Sequence, residues 1–387
     1  MRTLNVAMIG GGFMGKAHAL AYAAMPMYFW PAPALPRRKV VVDLTEEAAQ
    51  DAQRRFGFDE SATNWRAVVE RDDVDIIDIC TPNDSHAEIA IAAARAGKHI
   101  ICEKPLARTA AEAKTMLDAV AGSGSIHMVA FNYRRTPAVA LARKFIEDGR
   151  IGEVLNFRGT YLQDWSANPD SPLSWRFQKS VAGSGAIGDI ATHALDFARY
   201  LVGDVASVNA LVKTYIPTRP KQSGTVDKLG VGGGNRDAER GPVDVDDEVM
   251  TMLKFANGAV GSLEATRNAY GRNNFLTFEI HGSKGSLAFN YERRDELQAM
   301  FADDPEDARG FRTIYTGAPH PYGDGLWPIP ALGIGYGDTK IIECYDLMKA
   351  IVSGEQPSPN FEDGYRISLI ADAIAKSAEA GAWVDVG

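Results

Sequence analysis

A chain of 387 residues is longer than one hydrophobic core usually serves, so two well-packed domains are expected. With 45% hydrophobic and 24% charged residues it follows average globular usage, which excludes a fibrous or disordered chain. The formal net charge of −9 argues against nucleic acid or an anionic membrane as the main partner and leaves small molecules.

Strand-like and helical runs alternate over residues 1–130: LNVAMI, a helix from Met14, KVVVD, EEAAQDAQRRFG, VDIIDIC, HAEIAIAAARAG, HIICEK, AAEAKTMLDAVA and HMVAFNY. This alternation predicts a Rossmann domain, an α/β fold with a doubly wound parallel sheet. Its proline-rich stretch MPMYFWPAPALP, residues 25–36, is expected to lengthen the loop between the first helix and the second strand. Over 131–387 the runs VLNFRGTYL, SVNALVKTYI, EVMTMLKF, AVGSLEATRN, FLTFEIHG and GSLAFNY predict a second α/β domain with a large, mostly antiparallel open sheet. The C-terminal helices are available to pack back on the first domain. Residues 217–247, rich in glycine and charge, read as a long excursion from that sheet.

No run reaches membrane-spanning length, and the apolar opening is too short for a signal peptide, so a cytoplasmic enzyme is expected. Cys80, Cys102 and Cys344 are widely separated and form no CxxC pattern, which fits a reducing compartment.

Gly10, Gly12 and Gly15 have G-x-G-x-x-G spacing, with Phe13 and Met14 between them, directly after a strand and opening a helix. In that setting the glycines permit a tight turn, close approach of a pyrophosphate and close helix packing, although an ordinary glycine-rich turn has the same letters. Asp43 ends the second strand, further from the glycines than the usual spacing of about 20 residues. A carboxylate there suits the ribose hydroxyls of NAD and repels the 2′-phosphate of NADP, and a solvated strand-end aspartate is the alternative.

In GSGAIGDIATHALD, Asp189, Thr192, His193 and Asp196 fall at helical positions i, i+3, i+4 and i+7, a polar stripe where a packed helix would be apolar. These residues alone equally suit a capping aspartate and a core histidine. No ligand set has zinc spacing, so no metal is expected.

Taken together and in this order, the glycine motif, CTPNDSH, the EKP of 103–105, FNYRRTP of 131–137 and GSGAIGDIATHALD resemble the glucose-fructose oxidoreductase, inositol dehydrogenase and MocA-like (Gfo/Idh/MocA) family over nearly the whole chain. The resemblance implies NAD-dependent oxidation of a secondary hydroxyl of a sugar or cyclitol to a ketone, first of the anhydrosugar levoglucosan, then of an inositol or pyranose. It sets Lys104 between cofactor and reacting hydroxyl, with Pro105 restricting the lysine backbone to extended conformations. Asp189 and His193 hold substrate, and His193 is the favoured general base, although it and Lys104 could exchange roles. Thr81, Pro82, Asn83, His86, Glu103, Asn132, Trp175 and Arg176 join the cofactor site. Tyr133, Gln163, Trp165, Thr192 and Tyr336 join Lys104, Asp189 and His193 at the sugar, with Tyr133 and Trp165 equally suited to packing. A homo-oligomer, dimer or tetramer, formed through the open sheet face is also implied. Two other functions fit the same fold: a glycosidase using tightly held NAD for transient oxidation, and a silent nucleotide-bound regulator.

Overall fold

The computed structural model describes residues 1–221 and 238–387, which divide into two compact units. Met1–Asn132 and Ile334–Ser368 form the first, and Tyr133–Gly333 and Leu369–Gly387 the second. The first begins β1 (Thr3–Ile9), α1 (Phe13–Tyr28), β2 (Leu35–Val42), α2 (Glu46–Phe56), β3 (Glu60–Ala62), α3 (Trp65–Val69), β4 (Ile76–Ile79), α4 (His86–Arg95), β5 (His99–Cys102), α5 (Ala110–Val120) and β6 (His127–Val129). All its strand pairs are parallel, in the order β3-β2-β1-β4-β5-β6, so the winding reverses between β1 and β4. At such a switch point the carboxyl ends of the strands open a crevice for a ligand. Local chemistry sets the helix ends: Thr45 accepts the Ala48 N–H at the start of α2, and Gly57 closes it at φ 68°.

The proline-rich stretch departs from its expected loop. α1 continues through Pro26 to Tyr28, and β2 already begins at Leu35. Proline disfavours a helix interior because it removes one hydrogen bond and crowds the preceding turn. Burial of Tyr22 and Met25 on either side of that turn outweighs the local penalty.

The second unit contains α6 (Pro137–Glu147), β7 (Val154–Leu162), α7 (Lys179–Ala182), α8 (Thr192–Leu201), β8 (Val205–Lys213), β9 (Thr218–Pro220), β10 (Arg240–Pro242), β11 (Glu248–Phe255), β12 (Val260–Thr266), β13 (Phe275–Gly282), β14 (Gly285–Asn290), β15 (Glu296–Phe301) and β16 (Arg312–Tyr315). With the terminal β17 (Val384–Asp385), they give a nine-stranded sheet in the order β16-β15-β14-β13-β7-β12-β11-β8-β17. Every neighbouring pair is antiparallel except β7 with β12. Helices α6 and α8 lie on one face, where Phe278 meets Phe197 edge-on at 5.7 Å and stacks on Phe289 at 5.4 Å. On β11, Val249, Thr251, Leu253 and Phe255 are buried whereas Met250 and Met252 are exposed, the period-two alternation of a sheet with one covered face. β9 and β10 pair with each other at the ends of the expected 217–247 excursion, of which 222–237 lie outside the described residues.

The chain then returns to the first unit with α9 (Tyr336–Ser353) and the beginning of α10 (Phe361–Ala380). Phe29, just beyond α1, stacks on Tyr345 of α9 at 4.2 Å. His127 of β6 accepts the Phe361 N–H on Nδ1 at 3.1 Å, and Val129 donates to the Pro359 carbonyl at 3.1 Å. Among the described residues no helix is long and apolar enough to cross a membrane.

Burial pushes the His127 imidazole down to about 4, so the folded state holds it neutral where an exposed histidine would be charged. The stability it contributes is complete above the ordinary value near 6.5 and is lost as pH falls through about 4. Between those limits the wild type is expected to lose roughly 3 kcal/mol more unfolding free energy than His127→Asn, which keeps an acceptor at this point. Urea unfolding at a series of pH values measures the difference.

Candidate active site

The glycines after β1 are small for two different reasons. Gly10 sits at φ +104°, and a Cβ there would lie 2.7 Å from the Cys80 carbonyl oxygen. At Gly15 it would lie 2.3 Å from the Gly10 oxygen, so both positions are demanded by the chain's own packing. At Gly12, by contrast, a Cβ meets nothing within 4 Å. Bare backbone therefore faces open space at the N-terminus of the 16-residue helix α1, which has no side-chain cap and no acidic residue in its first turn. Such a terminus suits a pyrophosphate. Asp43 borders it: Oδ2 accepts the Gly11 N–H at 3.0 Å and Oδ1 accepts its own neighbour Leu44 N–H at 2.7 Å. Phe13 and Met14 hold Tyr336 of α9, whose ring stacks on Phe13 at 6.1 Å and whose hydroxyl donates to Met14 Sδ at 3.4 Å.

Beyond β5, the Lys104 N–H donates to Glu103 Oε2 at 3.1 Å, and the Lys104–Pro105 bond is cis. Glu103 itself points inward. Its Oε1 accepts from Lys340 Nζ at 2.7 Å and lies 2.9 Å from His18 Nε2. The other nitrogen of His18 meets both oxygens of Asp78 at 2.9 and 3.0 Å, Tyr22 donates to Asp78 at 2.8 Å, and Lys340 reaches Glu343 at 2.9 Å. Burial opposes the charges of His18, Glu103 and Lys340, but their neighbours prevail. Against burial, the Asp78 carboxylate raises His18 well above its ordinary value, and Lys340 with His18 holds Glu103 well below the usual carboxylate range. His18, Asp78 and Cys80 place ligand atoms within 4.8 Å of one another. However, Lys340 Nζ stands 3.0 Å from His18 Nε2, and burial pushes the Cys80 thiol up to about 12, which disfavours the thiolate a metal needs.

In the second unit a π-helical turn, Ile187–Ala191, leads into α8. Asp246 accepts the Gly185 and Ile187 N–H groups, each at 2.7 Å, and anchors its start. The wider turn breaks the α-helical register expected from Asp189 to Asp196. Asp196 pairs with buried Arg134, and Thr192 donates to the Gly188 carbonyl at 2.8 Å. Asp189 faces Arg267 Nη1 at 3.4 Å. The His193 ring lies 4.4 Å from Tyr133 and 5.9 Å from Tyr161.

A chain of polar groups adjoins it: Trp165 Nε1 donates to Gln163 at 3.0 Å, Gln163 and Tyr161 donate to Asn274 Oδ1 at 2.8 and 2.6 Å, and the Tyr133 and Tyr161 hydroxyls are 3.1 Å apart. Arg176 stacks on Trp175 at 4.4 Å; burial lowers its pKa against the pull of Asp189. An imidazole, a carboxylate and an amide–phenol chain in one cluster can take a proton and hold several hydroxyls.

Residues 4–131 match the oxidoreductase family with an NAD-binding Rossmann fold, and residues 139–288 match the GFO/IDH/MocA C-terminal domain. A levoglucosan dehydrogenase of Pseudarthrobacter phenanthrenivorans is 68% identical over 386 residues, covering 100% of this chain and 99% of that protein. The chain belongs to the Gfo/Idh/MocA oxidoreductase family. Another relative, an inositol 2-dehydrogenase of Rhizobium meliloti, is 28% identical over 97% of both chains. A solved levoglucosan dehydrogenase in complex with NADH and levoglucosan superposes with a TM-score of 0.95 at 66% identity over the full length of both chains. The first unit of this Gfo/Idh/MocA protein thus carries the family's NAD-binding fold, and its glycine turn fits that cofactor.

Within each unit the structure gathers much of the expected set and redirects part of it. His86 is fully buried, with Nδ1 3.0 Å from the Pro105 carbonyl and Nε2 2.9 Å from that of Thr81, so it ties two loops together. Glu103 turns inward to cations, and buried Asn132 donates to Thr339 of α9 at 2.7 Å. Thr192 is buried and engages its own helix. Tyr336, expected at the sugar, belongs to the first unit beside the glycine turn. Thr81, Pro82 and Asn83 follow β4 at the carboxyl edge of the sheet. Sequence reasoning missed His18, Asn274, Arg267 and Lys340. The signal for Lys340 was there, since Lys340 and Glu343 interrupt an apolar helical stretch at i, i+3 spacing.

Gly12→Val separates the two reasons for glycine. With open space at its Cβ, it is expected to leave the unfolding temperature near that of wild type while weakening NADH binding about tenfold or more, as read by nicotinamide fluorescence titration.

Proposed function

We propose that this enzyme oxidises a secondary hydroxyl of levoglucosan to a ketone with NAD. The observation carrying this reading is the 68% identity, over the whole chain, to a protein named levoglucosan dehydrogenase. When bound, NAD supplies the hydride acceptor. The Gly10–Gly15 turn and the start of α1 hold its pyrophosphate, and Asp43 takes the adenosine ribose and disfavours a 2′-phosphate.

His193 removes the proton of the reacting hydroxyl, a task that suits an imidazole near neutral pH. Lys104 orients that hydroxyl and stabilises the charge developing on its oxygen. Asp189, held by Arg267, binds a neighbouring hydroxyl, and Tyr133, Gln163 and Trp165 supply the remaining polar contacts and an aromatic face. Trp175 and Arg176 stack as a pair that covers the nicotinamide end. The outer face of the large sheet, where Leu211, Met250, Met252 and Val260 are all at least 47% exposed, joins a second copy of the chain.

Purified enzyme is expected to produce NADH with levoglucosan and NAD, with a much weaker response to NADP. His193→Ala should lower kcat/KM by about 10²- to 10⁴-fold. A response to inositols or free pyranoses in place of levoglucosan would reassign the substrate, and NAD binding without turnover of any of them would reject the dehydrogenase reading. For the sheet face, Met250→Lys with Met252→Lys is expected to shift the wild-type oligomer to monomer in light scattering, and a monomeric wild type would refute that interface.

A further inference from the structure

We infer that Lys340 is a positioning residue for Lys104, acting through the Glu103 carboxylate; this rests on the reading that Lys104 contacts the reacting hydroxyl. The two oxygens of Glu103 face opposite tasks. Oε1 accepts from Lys340 Nζ at 2.7 Å and meets His18 Nε2 at 2.9 Å, and Oε2 accepts the Lys104 N–H at 3.1 Å. Rotation of the carboxylate would break one set or the other, so the cations on one side fix the hydrogen bond on the other. On the far side of Lys104, Pro105 restricts the lysine backbone to extended conformations. The residue is thereby held from both directions.

His18 is braced in turn by both oxygens of Asp78, and Lys340 by Glu343, so four elements converge on this one carboxylate: α1, β4, the end of β5 and α9. His18, Asp78, Glu103, Lys340 and Glu343 are each at most 4% exposed. Apolar side chains would hold those four elements together without desolvating five ionisable groups. What apolar packing lacks is direction: ion pairs and hydrogen bonds fix where a carboxylate points. That direction is transmitted to the launch point of the Lys104 side chain.

The test uses full-length Lys340→Met and Lys340→Arg. Lys340→Met is expected to lower kcat with levoglucosan by about ten- to hundredfold, as a displaced catalytic group does. Its affinity for NADH should stay within about threefold of wild type, since none of the glycine turn is altered. Two readouts separate positioning from mere support: the deuterium isotope effect on kcat with C-deuterated sugar should rise, and the Lys104 amide should exchange faster with solvent. Lys340→Arg should recover most of both.

If Lys340→Met does not fold, the double variant Lys340→Met with Glu343→Gln is measured instead, because it removes one charge of each sign and keeps the net charge of the cluster. Wild-type kcat, isotope effect and Lys104 exchange in a folded variant would overturn the inference. A wild type inactive on levoglucosan would reject the functional reading, and unchanged or faster Lys104 exchange in the variant would still decide whether Lys340 holds that backbone.

Discussion

A carboxylate sealed from water must keep cations beside it, and much of the first unit is arranged around that requirement at Glu103. Desolvating each ion of such a cluster costs several kcal/mol, which close pairing must offset. One cation, His18, comes from α1, immediately behind the glycine turn, and the other, Lys340, from a helix 237 positions after Glu103. The late return of the chain to the first unit therefore brings Glu103 a countercharge as well as packing. The same return brings Tyr336 against Phe13 and Thr339 against Asn132, so α9 touches the glycine turn as well as Glu103.

The second unit solves a different problem, which is to hold neutral and charged groups near an imidazole with little freedom. Gln163 directly follows β7 and Asn274 directly precedes β13, and the antiparallel register that pairs Leu162 with Phe275 brings them within hydrogen-bond distance. Tyr161, the next-to-last residue of β7, completes the chain toward His193. The π turn before α8 changes the direction of Asp189 relative to an ordinary helix, and Asp246 stabilises its start through two backbone N–H groups. Groups carried by sheet ends and a helix are held more firmly than loop residues would be.

The two halves place different demands on glycine and charge. In the first, Gly10 and Gly15 serve contacts of the chain with itself, and Gly12 leaves room for a partner from outside. In the second, Gly185 is enforced by the chain alone, since a Cβ there would collide with the Asp246 carbonyl at 1.7 Å. Spacing by itself does not distinguish these cases, because the letter is the same and only the neighbours differ.

Sequence alone determined what depends on local order: the alternation of strands and helices, the glycine turn, the acid at the end of β2, the lysine before a proline and the Asp-His stretch. Each follows from periodicity or from adjacent residues, which a linear reading sees directly. Tertiary structure alone decided the rest. It ran α1 through Pro26 because burial outweighs a local helix penalty, and it gave the side chains of His86, Glu103 and Thr192 partners in the interior that adjacent residues do not reveal. It also brought Lys340, Asn274 and Arg267 to residues far away in the chain. Such partners are chosen by register and by the need to neutralise buried charge, and neither is written in the residues next to them.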